Sequence, residues 1–243
     1  MSSKFSTQRS FVKSAVLLAA GLVLSAQSHA GILGSFANGG FEGGSMDTNV
    51  HNSIVPPGWT TTAGTPDTFN GDTDFHSYTW APSSTGGQFL HGIGMQPNWT
   101  ESALQVGLSG LIIGKKYEIS FEQSISRSIW SQTGGYWRIK FGNEIQNSAL
   151  MTIPDFGVFE GWKWQTMIFT ATDIIQTLEV IAWSDTDFLR TDLGIDSFFI
   201  GDPGSNPDNP DNPTNPIPLP GSIGLLALAL VGLRMSRRHP SKA

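Results

Sequence analysis

Strict alternation of apolar and polar side chains limits this chain more than any other feature. Tyr117-Glu118-Ile119-Ser120-Phe121-Glu122 keeps every apolar side chain on one parity, and Trp137-Arg138-Ile139-Lys140-Phe141 does the same. Successive side chains on a strand point to opposite faces, so each run buries one face and wets the other. Leu178-Glu179-Val180 and the run from Ile195 to Ile200 are two further strand candidates. Between residues 31 and 202 no helical period is sustained. The one helical rival, Asp173 to Leu178, is too short to change the class. Clusters of Gly, Asn, Asp, Pro and Ser separate the runs, as turns do. Strands with one wet face are antiparallel, and many short ones with such turns predict an all-β, antiparallel β-sandwich or jelly roll. The runs 117–122 and 137–141 are expected to pair as a central hairpin. Glu118, Ser120 and Glu122 would then face water opposite Tyr136, Arg138 and Lys140.

Charge and cysteine content remove whole function classes. Residues 31–202 carry seven basic and 18 acidic side chains, a formal −11, which argues against a phosphate-backbone partner. The chain has no cysteine, so a disulfide scaffold, a thiol nucleophile and a cysteine-based zinc site are excluded. A stretch of this length buries a core without staples.

The two ends read as addresses. Residues 1–30 hold Lys4, Arg9 and Lys13, an apolar run Ala15–Leu24 and Ser28-His29-Ala30 before Gly31, the layout of a secretory signal peptide. Residues 203–216 repeat N-P-D, N-P-D, N-P-T with no apolar side chain to bury, and so read as an extended, semi-rigid linker. Residues 217–243 run from Pro218-Leu219-Pro220 through the apolar Gly221–Leu233 to Arg234, Arg237, Arg238 and Lys242. A basic tail of this kind stays cytoplasmic during export. This end resembles the PEP-CTERM sorting signal of exopolysaccharide-producing Gram-negative bacteria, with Leu219 where that signal usually has Glu. The resemblance implies an exosortase-type sorting peptidase as a partner, transient membrane association through 217–243, and a destination at the cell surface or in the extracellular matrix.

In the domain itself, several motifs follow one another. They are Asn38-Gly39-Gly40-Phe41-Glu42, Pro56-Pro57-Gly58-Trp59, Gly87-Gln88-Phe89-Leu90, Leu104-Gln105, Leu111 to Phe121, Trp164 to Ala171 and Gly194-Ile195-Asp196-Ser197-Phe198. The ordered set resembles the galactose-binding-domain-like jelly rolls of many carbohydrate-binding modules. That resemblance implies a non-catalytic polysaccharide- or glycan-binding role, and the sorting-signal resemblance links it to exopolysaccharide and biofilm. The jelly-roll resemblance also implies a structural calcium ion (Ca2+) held by Glu42 and Asp196.

The residues weigh on function separately. Residues 31–202 hold eight Trp, three Tyr and 13 Phe. Several fall in loops or on the wet parity: Trp80, Trp99, Trp130 and Trp183. Exposed rings offer a large contact area at low entropic cost and cover the C–H faces of sugars. Trp130, Tyr136, Arg138 and Trp183 are the expected carbohydrate-binding set, with Trp80 and Trp99 at its rim. His51, His76 and His91 have no metal-type spacing and read as loop histidines. Asp72, Asp74, Asp185 and Asp187 read as turn formers. Paired carboxylates of a glycoside-active enzyme are the catalytic alternative for them. A structural or adhesive protein that packs on other proteins is the second alternative.

Overall fold

The computed structural model describes residues 36–44, 55–70 and 80–211. The signal-peptide and sorting-signal readings, and His51, Asp72, Asp74 and His76, lie outside the described residues. Eleven strands form two antiparallel sheets. They are β1 (Thr60–Ala63), β2 (Asp67–Asn70), β3 (Gln88–Met95), β4 (Trp99–Thr100), β5 (Ser102–Ser109), β6 (Lys116–Ile125), β7 (Gly135–Phe141), β8 (Glu144–Asn147), β9 (Lys163–Thr170), β10 (Ile175–Ser184) and β11 (Thr191–Gly201). One sheet has the order β1-β5-β10-β7-β8. The other has the order β2-β3-β11-β6-β9, with β4 added beside β3. The chain passes repeatedly from one sheet to the other, which is the jelly-roll form of the sandwich.

Parity decides the core. Tyr117, Ile119, Phe121 and Ile125 of β6 are buried against Trp137, Ile139 and Phe141 of β7 and Leu178, Val180 and Ala182 of β10. Leu193 and Ile195 of β11 complete the layer. Buried aromatics dominate it, and each stabilises the sandwich chiefly through its large apolar area. Phe41 of the opening motif stacks on Trp59 at 4.6 Å between centroids, and Phe121 stacks on Phe198 at 5.0 Å.

The expected central hairpin is absent. β6 lies in the six-stranded sheet and pairs with β9 and β11, whereas β7 pairs with β10 and β8 in the other sheet. The Ser-rich segment between them is a crossover from sheet to sheet. Its hydroxyls serve the turn: Ser128 and Ser131 both donate to Asp192. Arg138 therefore meets Asn147 on β8, and Lys140 meets Glu179 on β10, in place of the acids of β6.

The opening motif closes the fold by landing on the last strand. Asn38 accepts from the Glu42 amide and donates to the carbonyls of Glu42 and Pro57, which holds residues 38–42 in a tight loop. The Phe198 amide donates to Gly39 O at 2.9 Å, inside an irregular stretch of β11 between Asp196 and Phe199. A Cβ at Gly39 would meet Phe198 O at 2.5 Å, so this close approach requires glycine.

Candidate functional site

The two sheets present unlike outer faces. On the six-stranded sheet the outward side chains are covered. Phe69, Trp80 and Phe89 form a second small core there, with Phe159 and Trp162 packed against it. Gly194 of β11 makes room for them, since a Cβ would meet Trp80 and Trp162 at about 3 Å. Glu118 and Glu122, expected to be wet, are both 3% exposed. The Gly204 amide covers Glu118, and Ser84 and Ser197 cover Glu122.

Among the described residues, the outer face of the five-stranded sheet is less covered. Tyr136, Arg138 and Lys140 of β7 lie half-buried beside Glu179, Ile181 and Trp183 of β10. Ladder register puts Tyr136 opposite Trp183, Arg138 opposite Ile181 and Lys140 opposite Glu179. The Arg138 guanidinium sits over the Trp183 ring, 3.7 Å from its centroid. Its Nε also donates to Asn147 at 3.3 Å. Glu179 accepts from Thr62 at 2.8 Å and lies 3.8 Å from Lys140. A ring, a planar cation and a polar ladder thus share one half-buried outer surface.

The other expected site residues distribute differently. Trp130 is exposed on the crossover that leads into Tyr136, its amide bonded to Ser128 Oγ. Trp99 is exposed on β4, in the other sheet, and donates to Glu101 at 3.1 Å. Trp80 is not a rim residue. At 3% exposure it is part of the small aromatic core, and Trp162 donates to the carbonyl of the adjacent Ala81. A Trp before a Pro-Ser-Ser loop looks exposed in sequence, but here the loop folds the ring down onto Gly194. Asp185 and Asp187 anchor the β10–β11 turn, accepting from Thr133 and Gln96.

Glu42, Asp196 and Glu122 gather beneath the opening loop. Asp196 is fully buried on β11 and accepts from Ser83 Oγ through Oδ2. Its Oδ1 has no hydrogen-bond partner among the described residues. Burial pushes the Asp196 carboxyl up to about 8, against the pull of the Ser83 hydroxyl and the Ser197 amide, and the negative charges of Glu122 and Glu42 add to the rise. Glu42 Oε1 accepts from the Gln88 amide at 2.9 Å, and a side chain at Gly87, where φ is +78°, would collide with its carboxylate. An unmatched buried oxygen amid further carboxylates is a donor set suited to a hard cation, and Ca2+ takes six to eight oxygens. Glu42 and Asp196 are the residues that would hold the ion that the resemblance implies; the Gln88 amide already bonds Glu42, and Ser84 and Ser197 already bond Glu122.

His91 is not a loop histidine. It is fully buried on β3, stacked on Phe69 at 4.5 Å, with Nδ1 3.3 Å from Asp67 and Nε2 3.4 Å from Asp192. Arg190 grips Asp192 from the other side at 2.7 Å. Burial alone would lower the imidazolium, but the hydrogen bonds to Asp192 and Asp67 outweigh it and raise His91 to about 9. Burial would raise Asp192, yet the His91 bond and the Arg190 charge hold it far below the usual carboxylate range. Glu101, pushed by burial up to about 7, lies close enough to form a three-ligand group with Asp67 and His91. Its oxygens are already taken by the Ile93 amide, Trp99 and Thr65. The group reads as a closed ionic network of the fold. Sequence spacing concealed it, because Asp67, His91 and Asp192 come from three strands that only the sheet brings together.

Comparison with known proteins gives structural likeness only. No family model matches the chain, and no curated protein matches it. Among solved structures, it is similar to the Stig cyclase Fisc from Fischerella sp. TAU, solved in complex with an indole-bearing ligand. That match has 13% identity and a TM-score of 0.45, covering 68% of this chain and 94% of that one. It is also similar to the CBM22-1 xylan-binding domain of Paenibacillus barcinonensis Xyn10C, at 15% identity and a TM-score of 0.41, covering 69% and 91%. A third likeness is a family 11 carbohydrate-binding module from Clostridium thermocellum, solved with a mixed-linked tetrasaccharide. Its identity is 12% and its TM-score 0.37, covering 60% and 89%. None of the three fixes a ligand for this chain.

Proposed function

We propose that this domain is a non-catalytic carbohydrate-binding module that takes a glycan chain across the outer face of its five-stranded sheet. The observation that carries the reading is the Tyr136–Trp183–Arg138 group on the less covered outer face, set against an opposite face that is covered by its own aromatics and loops. A sugar ring offers apolar C–H faces and a rim of hydroxyls. The phenol, the aliphatic part of Ile181 and the part of the indole not covered by Arg138 suit the first, and Arg138, Lys140, Glu179 and Asn147 suit the second. The guanidinium already rests on the indole, so little side-chain freedom is left to lose on binding. Trp130 stands on the loop leading into this face and extends the set, while Trp99 lies on the other sheet.

The same reading places the protein outside the cell. The terminal segments are proposed as an export signal and an exosortase-type sorting signal, delivering the domain to the surface or matrix where exopolysaccharide is the ligand at hand. Calcium is proposed as its structural ion, held by Glu42 and Asp196 with Glu122 beside them and backbone carbonyls completing the shell. Bound there, the ion would neutralise the clustered carboxylates and tie the opening loop to β11.

A glycan array with the intact chain tests the function. The expected result is retention of one class of polysaccharide by the native protein and its loss in Trp183→Ala. Equal retention by both proteins, or none by the native one, would overturn the assignment.

A further inference from the structure

The outer face of the five-stranded sheet is rich in hydrogen-bond donors and poor in acceptors. Register sets its polar side chains in pairs: Tyr136 with Trp183, Arg138 with Asn147, and Lys140 with Glu179. Guanidinium, ammonium and indole N–H groups donate and do not accept. Nε of Arg138 donates to Asn147 Oδ1 at 3.3 Å, which leaves the Asn147 amide nitrogen as one more donor. Neither Nη of Arg138, nor Trp183 Nε1, nor the Tyr136 hydroxyl has a hydrogen-bond partner among the described residues. Glu179 is the one carboxylate at an outward position of β7, β8 or β10. Thr62 already donates to its Oε1, and its Oε2 lies 3.8 Å from Lys140.

Charge points the same way. Residues 31–202 carry a formal −11, yet Arg138 and Lys140 stand on this face against Glu179 alone. Arg138 forms no ion pair among the described residues. Its guanidinium is held twice, over the Trp183 ring at 3.7 Å and through Nε at Asn147, so its plane is set before a ligand arrives. A planar guanidinium with both Nη groups unbonded is a fork that matches the two oxygens of a carboxylate.

We infer that the glycan taken by this face carries a carboxylate, bound by the two Nη groups of Arg138 with Lys140 beside it. The inference rests on the glycan reading of the sheet face and names the class of sugar. A hydroxyl must place its own proton on an acceptor, and this face has few to give. A carboxylate only accepts, which is what a surface of donors requires. The carboxylate belongs either to the sugar ring, as in a uronate, or to an ether, ester or ketal substituent, and the fork reads the same group in both. The acidic remainder of the domain does not cancel the attraction at physiological salt, where charges are screened over about 8 Å.

The test is affinity electrophoresis of the full chain at 0.15 M salt through gels holding paired polymers. Polygalacturonate and its carboxyl-reduced form report on a ring carboxylate. Carboxymethyl cellulose and hydroxyethyl cellulose report on a substituent. In at least one pair the acidic polymer should be bound roughly ten- to a hundredfold more tightly than its neutral partner, the worth of a charge-assisted hydrogen bond. Arg138→Gln should remove that preference, and Arg138→Lys, which keeps the charge without the fork, should restore only part of it. Neutral polymers bound as tightly as acidic ones in both pairs, or a preference that survives Arg138→Gln, would overturn the inference and leave the glycan reading standing. Retention by none of the four polymers would overturn both.

Discussion

The guanidinium of Arg138 lies 3.7 Å from the centre of the Trp183 ring, although the two residues are not direct ladder partners. Arg138 faces Ile181, and its side chain leans along the sheet by one outward position to reach the indole. Contacts of this kind contribute about 0.5–1 kcal/mol at exposed sites. Arg138→Ala should therefore lower stability by less than about 1 kcal/mol. Its effect on glycan affinity should be larger, because the freed indole must be ordered again on binding. In a double-mutant cycle read by titration calorimetry, Arg138→Ala and Trp183→Ala should couple by more than about 0.5 kcal/mol. Additive losses would mean that the stack plays no part in binding.

The His91 network gives stability a sign in pH. His91 is raised in the fold, so its contribution is complete below the unfolded value near 6.5 and is lost as pH rises through about 9. Asp67, Asp192, Glu101 and Arg190 surround it, and raised Glu101 acts in the same direction. Melting temperature should fall between about pH 6 and about pH 10. Replacing His91 by Gln removes the cation between Asp67 and Asp192, with Arg190 still paired to Asp192, a loss of about 3–5 kcal/mol. That variant should melt lower at pH 6 and show a shallower decline. Parallel pH curves for the two proteins would show that His91 stays neutral in the fold.

Calcium makes a separate prediction. At about a hundredfold excess over its dissociation constant, an ion bound only by the folded chain adds about 2.7 kcal/mol. For a domain of this size that is roughly 5–10 °C. Chelation with EDTA should lower the melting temperature by that amount, and added calcium should restore it. Asp196→Asn and Glu42→Gln should each abolish the response. A melting curve indifferent to chelator would remove calcium from the account.

What the sequence made legible was parity. Tyr117, Ile119 and Phe121 point inward and Arg138 and Lys140 outward, as alternation requires. Pairing was not legible, because alternation records which face a side chain takes and not which sheet its strand joins. β6 and β7 are consecutive and similarly patterned, yet the Ser128–Ser131 turn carries the chain across the sandwich. The covering of one face was hidden for a related reason. Glu118, Glu122 and Trp80 are polar or loop-borne in sequence, and they are buried because distant segments close over them. Tyr136, Arg138 and Trp183 were legible together, since their wet parity on adjoining strands survives the correction in pairing.

The N-P-D repeat supplies the last prediction, because its first turns are part of the domain surface. Asn206 is fully buried and donates to Ser120 on β6, while Asn209 donates to Thr166 on β9, the ladder partner of Ser120. Each Asn also accepts the amide two residues on, closing a local turn. Lys115 holds Asp202 at 2.6 Å, and Glu118 takes the Gly204 amide. A three-residue period thus sets one Asn after another onto the sheet, and what lacks apolar side chains is held by amides instead. Asn206→Ala should cost about 1–3 kcal/mol through the lost buried bonds. In hydrogen exchange on the full chain, residues 203–211 should lose protection while β7 and β10 keep theirs. The strap lies on the outer face of β6 and β9, on the side of the sandwich opposite Trp183. Proteolysis of the native protein should spare 203–211; ready cleavage within that stretch would show the strap to be a free linker.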